Sequence, residues 1–198
     1  WLYLKNQTNF FKGQYRLLHV APEPCLYKKF IALHNINYTT IDLESPLAMI
    51  KADIHNIPCQ ENKFDIIICS DVLEHVKNDK EVMKELYRVL KPTGSFYYHC
   101  DWHASHYIKV LLDRDDLFGY RNFRNDIIWR RSTPTGGKVK SKMFPRDSDH
   151  ILLYCKDTST KLPFNNMYIP YRQDYVDKFF YHRDPNGRRY ALQTLGDY

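Results

Sequence analysis

The sequence predicts an α/β domain built on a mostly parallel sheet with an antiparallel hairpin at its edge. Three observations lead there. Short apolar, β-branched runs alternate with stretches whose apolar residues recur at helical spacing. One run, FDIIIC at 64–69, is nearly continuous in its apolar character, as a strand buried on both faces of a parallel sheet should be. The last two runs, NDIIWR and HILLYCK, have no helical stripe between them, which implies that they pair antiparallel.

In chain order, RLLHVA (16–21) reads as a strand that Pro22 ends, and Leu26, Phe30 and Leu33 then mark a helix. NYTTIDL (37–43) is a second strand with Asp42 near its end, and 49–53 is a short third strand that also closes on an acid, Asp53. The 64–69 strand should be central. The spacing of Val82, Met83, Leu86 and Val89 predicts a helix over 79–90, closed by KPTG, because Pro92 cannot continue a helix and Gly94 permits a turn. A fifth strand follows at 95–100, then a helix from about His103 to Leu117 with Tyr107, Val110, Leu111 and Leu112 as its buried positions. NDIIWR (125–130) and HILLYCK (150–156) form the edge hairpin. Residues 1–157 are expected to form one domain, and 158–198, polar and Tyr-rich with a turn at DPNG, the start of a further region.

Composition narrows the function classes. With 198 residues and 43% hydrophobic content, one core of ordinary size is expected. No apolar run approaches the roughly 20 residues of a membrane span, and WLYLKNQTNFF lacks the pattern of a signal peptide. A cytoplasmic protein is expected, its five scattered cysteines reduced and without a CxxC pair. The start at Trp1 and the stop at LGDY suggest a fragment. Residues 1–94 hold 12 Lys+Arg against 11 Asp+Glu and residues 95–198 hold 17 against 12, so charges of +1 and +5 make up the net +6. All six Glu lie before Gly94. The basic second half is compatible with a polyanion partner, and equally with a solvated surface.

Ligands of open α/β sheets bind beyond the carboxyl ends of the strands, near the switch in strand order. Here those ends carry APEP, Asp42, Asp53 and CSDVLEH. A carboxylate at the position of Asp42 suits the two ribose hydroxyls of an adenosine cofactor. Asp53 and Ile54 would offer an acid to the adenine amine and an apolar face to its ring. A solvated acid ending a strand is the plain alternative for each.

The run KADIHNIPCQENKFDIIICSDVLEHVKNDKEVMKELYRVLKPTG (51–94) resembles the middle of a class I S-adenosylmethionine-dependent methyltransferase of the small-molecule type. The resemblance implies a Rossmann-like sheet of seven strands that binds S-adenosyl-L-methionine. Asp42 would then hold the ribose, Asp53 and Ile54 the adenine, and Ser70, Asp71 and Val72 the methionine portion. The turn after the first strand, usually glycine-rich in this family, is Ala21, Pro22, Glu23, Pro24 here, and it would line the same cofactor.

From Glu85 onward the sequence is similar to a second family, the DNA methylases that modify the exocyclic amine of adenine or cytosine. ELYRVLKPTGSFYYHCDWHASHYIKVLLD, FGYRNFRNDIIWRR, HILLYCK and HRDPNGRRY carry that similarity. It implies a methyltransferase related to the DNA amino-methylases, with 158–198 as the truncated start of a target-recognition region. The alternatives are a small-molecule methyltransferase and an inactive DNA-binding or cofactor-binding remnant. Those methylases hold the flipped base with an Asp/Asn/Ser-Pro-Pro-aromatic motif, whereas this strand ends Ser70, Asp71, Val72, Leu73. Asp71 or Ser70 could still accept a hydrogen bond from the nucleophile, and His75 could serve as general base; Glu74 and His75 could equally cap the next helix. Arg121, Arg124, Arg130, Arg131, Lys138, Lys140, Lys142 and Arg146 are the candidate phosphate contacts.

His99, Cys100, Asp101, His103 and His106 crowd eight residues. A zinc site needs four ligands converging at about 2.0–2.3 Å, and His103 with His106 would share a helical face that could supply two. The resemblance to a metal-free family accounts for the cluster as the rim of the methyl-transfer pocket, with structural capping as the alternative, so no metal is expected.

Overall fold

A computed structural model describes residues 9–70, 72–131, 147–157 and 170–192. The chain divides into two compact units, 1–164 and 165–198. In the first, seven strands hydrogen-bond in the order β3-β2-β1-β4-β5-β7-β6. They are β1 (Tyr15–Val20), β2 (Ile36–Asp42), β3 (Ile50–Lys51), β4 (Phe64–Ser70), β5 (Leu90–Asp101), β6 (Phe123–Arg130) and β7 (Ser148–Cys155). The pairs among β1 to β5 are parallel, and β7 runs antiparallel between β5 and β6. The edge hairpin expected from the sequence is therefore present, with its later strand on the inside.

The helices follow from their residues. α1 (Pro24–Phe30) starts on a proline, whose missing N–H costs nothing in a first turn, and buries Phe30 beside Leu17, Ile36 and Tyr38. α2 (Asp79–Val89) is capped by Asn78, whose side chain accepts the Glu81 N–H at 3.2 Å. Its acids lie in the first turn and Arg88 in the last, matching the helix dipole, and Val82, Met83, Leu86 and Val89 are buried as the spacing predicts. A 3-10 turn, Leu73–His75, leaves β4. No helix among the described residues is long and apolar enough to cross a membrane.

Two expectations fail here. KPTG does not close α2 in a turn; β5 already begins at Leu90. Leu90 pairs with Phe64 and Ser95 with Ile66, so residues 91–94 bulge out of the ladder. A Cβ on Gly94 would lie 2.6 Å from a Leu90 side-chain carbon and 2.9 Å from the Lys91 carbonyl oxygen, which is why the bulge requires glycine.

The second concerns α3, which spans only Ser105–Leu112. Asp101 Oδ1 accepts the Ala104 N–H at 3.0 Å just before the helix. Ser105, Ile108 and Leu112 are buried, while Tyr107 and Val110, expected inside, are 80% and 71% exposed. Leu112 is buried and Leu111 packs against the core as expected, so the misplaced positions are Tyr107 and Val110.

The second unit holds α4 (Gln173–Phe179) and a hairpin of β8 (His182–Arg183) with β9 (Arg189–Tyr190). Its turn is the DPNG segment. Gly187 has φ +78° and Asp184 Oδ1 accepts the N–H groups of Asn186 and Arg188.

Candidate donor and acceptor site

The strand register aligns the predicted residues. Val20 pairs with Ile41 and with Cys69, Ile41 with Ile50, and Cys69 with Tyr98. One step on, Ala21, Asp42, Lys51, Ser70 and His99 form a row at the carboxyl ends of five adjacent parallel strands. The switch in strand order falls between β1 and β4, within that row.

At the end of β1, Ala21 takes φ +49°, a left-handed conformation that costs an L-residue about 1–2 kcal/mol and glycine almost nothing. The APEP turn thus adopts a backbone shape suited to glycine without having one. Glu23 precedes α1, yet its carboxylate does not cap the helix. It accepts hydrogen bonds from His19 Nε2 at 2.7 Å and from the Ser70 side chain. His19 is fully buried and its Nδ1 meets the Tyr38 hydroxyl at 2.7 Å. The chain Tyr38–His19–Glu23–Ser70 ties the turn to β2 and β4 and was not foreseen. A histidine four residues before an acid across a tight turn was its only trace in the sequence.

Burial works against ionisation of Glu23, but the hydrogen bonds from His19 and Ser70 outweigh it and hold its pKa below the usual 4.5. Burial likewise pushes the Tyr38 hydroxyl well above its usual range.

Asp42 Oδ1 accepts the N–H groups of Glu44 and Ser45, both at 2.8 Å, which curls the chain beyond β2. Among the described residues no hydrogen bond engages Oδ2, so one oxygen shapes the loop and the other suits a ribose diol. Asp53 is exposed, and its Oδ1 takes the backbone N–H and ring Nδ1 of His55, which lower its pKa. Ile54 and Val72 are 8% and 7% exposed and belong to the main core, so each places backbone at the row more than side chain. Pro22 is buried in the turn. Asp71, expected to touch both cofactor and nucleophile, lies outside the described residues.

His75 is exposed on the 3-10 turn after β4, its N–H bonded to the Val72 carbonyl at 3.0 Å. His103 precedes α3 and His106 lies within it, so the two do not share a helical face as expected; His103 Nδ1 sits 3.4 Å from Asp101 instead. His99 lies beside Ser70 in register, and its Nε2 is 3.4 Å from Asp149, which is 5% exposed. No group of three or more potential metal ligands occurs among the described residues.

The candidate phosphate contacts disperse. Arg131 forms a two-armed ion pair with buried Asp149, and Arg124 Nε points at Cys155 Sγ, 3.1 Å away. Arg121 Nε meets the Tyr120 hydroxyl, and Arg130 is well exposed with Asp147 at 3.6 Å. Lys138, Lys140, Lys142 and Arg146 lie outside the described residues.

Comparison with known proteins agrees with this geometry. Residues 25–98 match the family described as "Methyltransferase domain". Over 89 residues the chain is 26% identical to human thiol S-methyltransferase TMT1A, covering 45% of this chain and 35% of that protein. Over 62 residues it is 31% identical to the sterol 4-C-methyltransferase strm-1 of Caenorhabditis elegans, covering 31% and 19%. A solved structure from Bacillus halodurans, described as a methyltransferase, superposes with a TM-score of 0.52 at 15% identity, over 74% of this chain and 94% of that one. The chain spans less than half the length of the curated relatives it matches.

Strand order and superposition give the first unit a Rossmann-like α/β fold, and residues 25–98 within it match a methyltransferase domain. The matched segment ends at Tyr98 and lends nothing to the resemblance of the later residues to DNA amino-methylases.

Proposed function

We propose that the protein transfers the methyl group of S-adenosyl-L-methionine to a small-molecule nucleophile at the ends of β4 and β5. The row Ala21, Asp42, Lys51, Ser70 and His99 carries this reading. It puts the Asp42 carboxylate, proposed here for the ribose, the turn after β1 and the exit of β4 on one line across the switch point. The family match and the thiol and sterol methyltransferases among the relatives support a small acceptor. The donor supplies an electrophilic methyl on a sulfonium centre. The residues of this chain then have mainly to hold the nucleophile in line with it, an effect that can contribute about 7–11 kcal/mol to lowering a barrier. His75 is proposed as the base that takes the nucleophile's proton. Asp42 would fix the ribose, Asp53 and Ile54 the adenine, and Ser70 to Val72 the methionine end. The five scattered cysteines suit a reducing compartment, in keeping with a cytoplasmic enzyme.

A base amine of DNA as the acceptor rests on the sequence resemblance of the second half alone, which would make 158–198 the start of a target-recognition region. Both acceptors are tested by incubating the full chain with methyl-labelled donor and either a metabolite extract or duplex DNA. Label in the small-molecule fraction is expected. Label in DNA, with an affinity that falls steeply with salt, would move the assignment to the methylases. Label in neither would overturn the proposal.

A further inference from the structure

Beyond its last pairing with β4, at Ser70 and His99, β5 continues to Asp101 and walls a cavity of about 170 Å³. Tyr98 and Cys100, both 2% exposed, contribute to its floor, and Leu73, Ala104 and Ile108 give apolar walls. A cavity of about 150 Å³ lined by apolar side chains can hold benzene, so this one admits one small ring or a short chain.

Among the described residues, the charged groups that line it are two carboxylates, Asp79 at the start of α2 and Asp101 at the end of β5, with no Lys, Arg or His. Burial works against ionisation of Asp101, but the Ala104 N–H and His103 outweigh it and keep the carboxylate charged. Tyr107 lines the same cavity with its side chain 80% exposed, against the trend for a large aromatic on an amphipathic helix. An anionic carboxylate and an aromatic face around one apolar cavity are the means by which proteins recognise ammonium groups.

We infer that this cavity binds the methyl acceptor, and that the acceptor is a small amine carrying a ring or short apolar chain, held as its ammonium by Asp101 and Tyr107. The inference rests on the methyltransferase reading for the word acceptor and on the cavity alone for the word amine. For transfer, the ammonium first gives one proton to the base, the role proposed for His75. The neutral nitrogen then forms a bond to the methyl carbon as the carbon–sulfur bond breaks, leaving a methylated ammonium and a neutral thioether.

The test uses three probes of one size: phenethylamine, 2-phenylethanol and phenylacetate, titrated into the full chain and followed by NMR. Phenethylamine should bind at least about ten-fold more tightly than the other two, in the range a charge-assisted contact supplies. Asp101→Asn, which can keep the cap on Ala104, and Tyr107→Ala, at an exposed position, should each reduce that preference, while Asp115→Asn should not. Equal binding of the alcohol, tighter binding of the carboxylate, or an unchanged preference in both cavity variants would overturn the inference. Calorimetry with the donor is read separately. Donor binding without amine selectivity sinks the cavity assignment alone, and amine selectivity without donor binding sinks the methyltransferase reading alone.

Discussion

Asp42 shapes the loop beyond β2 with one oxygen and offers the other to a ligand, so its two roles can be separated. Asp42→Asn keeps an acceptor for the Glu44 and Ser45 N–H groups but removes the charge. It should weaken donor binding by about 10- to 100-fold, the worth of a hydrogen bond to a charged group, with little loss of stability, as calorimetry and urea unfolding would show. Tyr38→Phe should do the reverse. It leaves Nδ1 of the fully buried His19 without its partner and should cost about 1–3 kcal/mol in urea unfolding. Glu23 contributes a pH dependence. Its folded pKa lies below 4.5, so the stability it adds is present above that value and is lost as pH falls through the folded one. Glu85 acts in the same sense through its hydrogen bond from Arg88. Unfolding midpoints measured from pH 6 downward should fall below about pH 4.5, and Glu23→Gln should flatten that slope.

Elements differ in how far their residues announced them. α2 was legible because its cap, acid-to-base polarity and apolar stripe agree on one phase. α3 was not, since the Asp101–Ala104 hydrogen bond that leads into it is not encoded in apolar spacing, and Tyr107 and Val110 were placed on the wrong side. The bulge in β5 was misread for a similar reason: Pro92 and Gly94 mark irregular backbone equally well at a helix end or inside a strand. The turn after β1 invites a direct check. Ala21→Gly removes a side chain from φ +49° and should raise stability by about 0.5–1 kcal/mol in urea unfolding. The loop after Asp53 is fastened to α2 by Arg88, which donates to Glu85 and to the carbonyls of Ile57 and Cys59 at 2.8–2.9 Å, while Glu85 accepts the Ile57 N–H. Arg88→Ala should cost about 2–3 kcal/mol and, by loosening that loop, weaken donor binding although Arg88 is not itself in the tip row.

For the molecule as a whole, the change in composition near Gly94 leaves no break in the sheet: β4 and β5 pair across it in parallel, and β5 pairs onward with β7. The parallel sheet, its edge hairpin and the acids at the strand tips were readable because period and composition are local properties. The Tyr38–His19–Glu23–Ser70 chain, the Asp149 partner of His99 and the cavity beside Asp101 were not, since each joins residues that only the folded register brings together. In the proposed function a donor nucleotide lies along the row of strand tips. Amide hydrogen exchange with and without S-adenosylhomocysteine tests it most directly. The account predicts slowed exchange at 21–23, 42–45 and 52–54 and at the exit of β4, with β6 and the second unit unchanged. Protection confined to β6, β7 or residues 170–192, or none at a ligand concentration shown to bind, would contradict it.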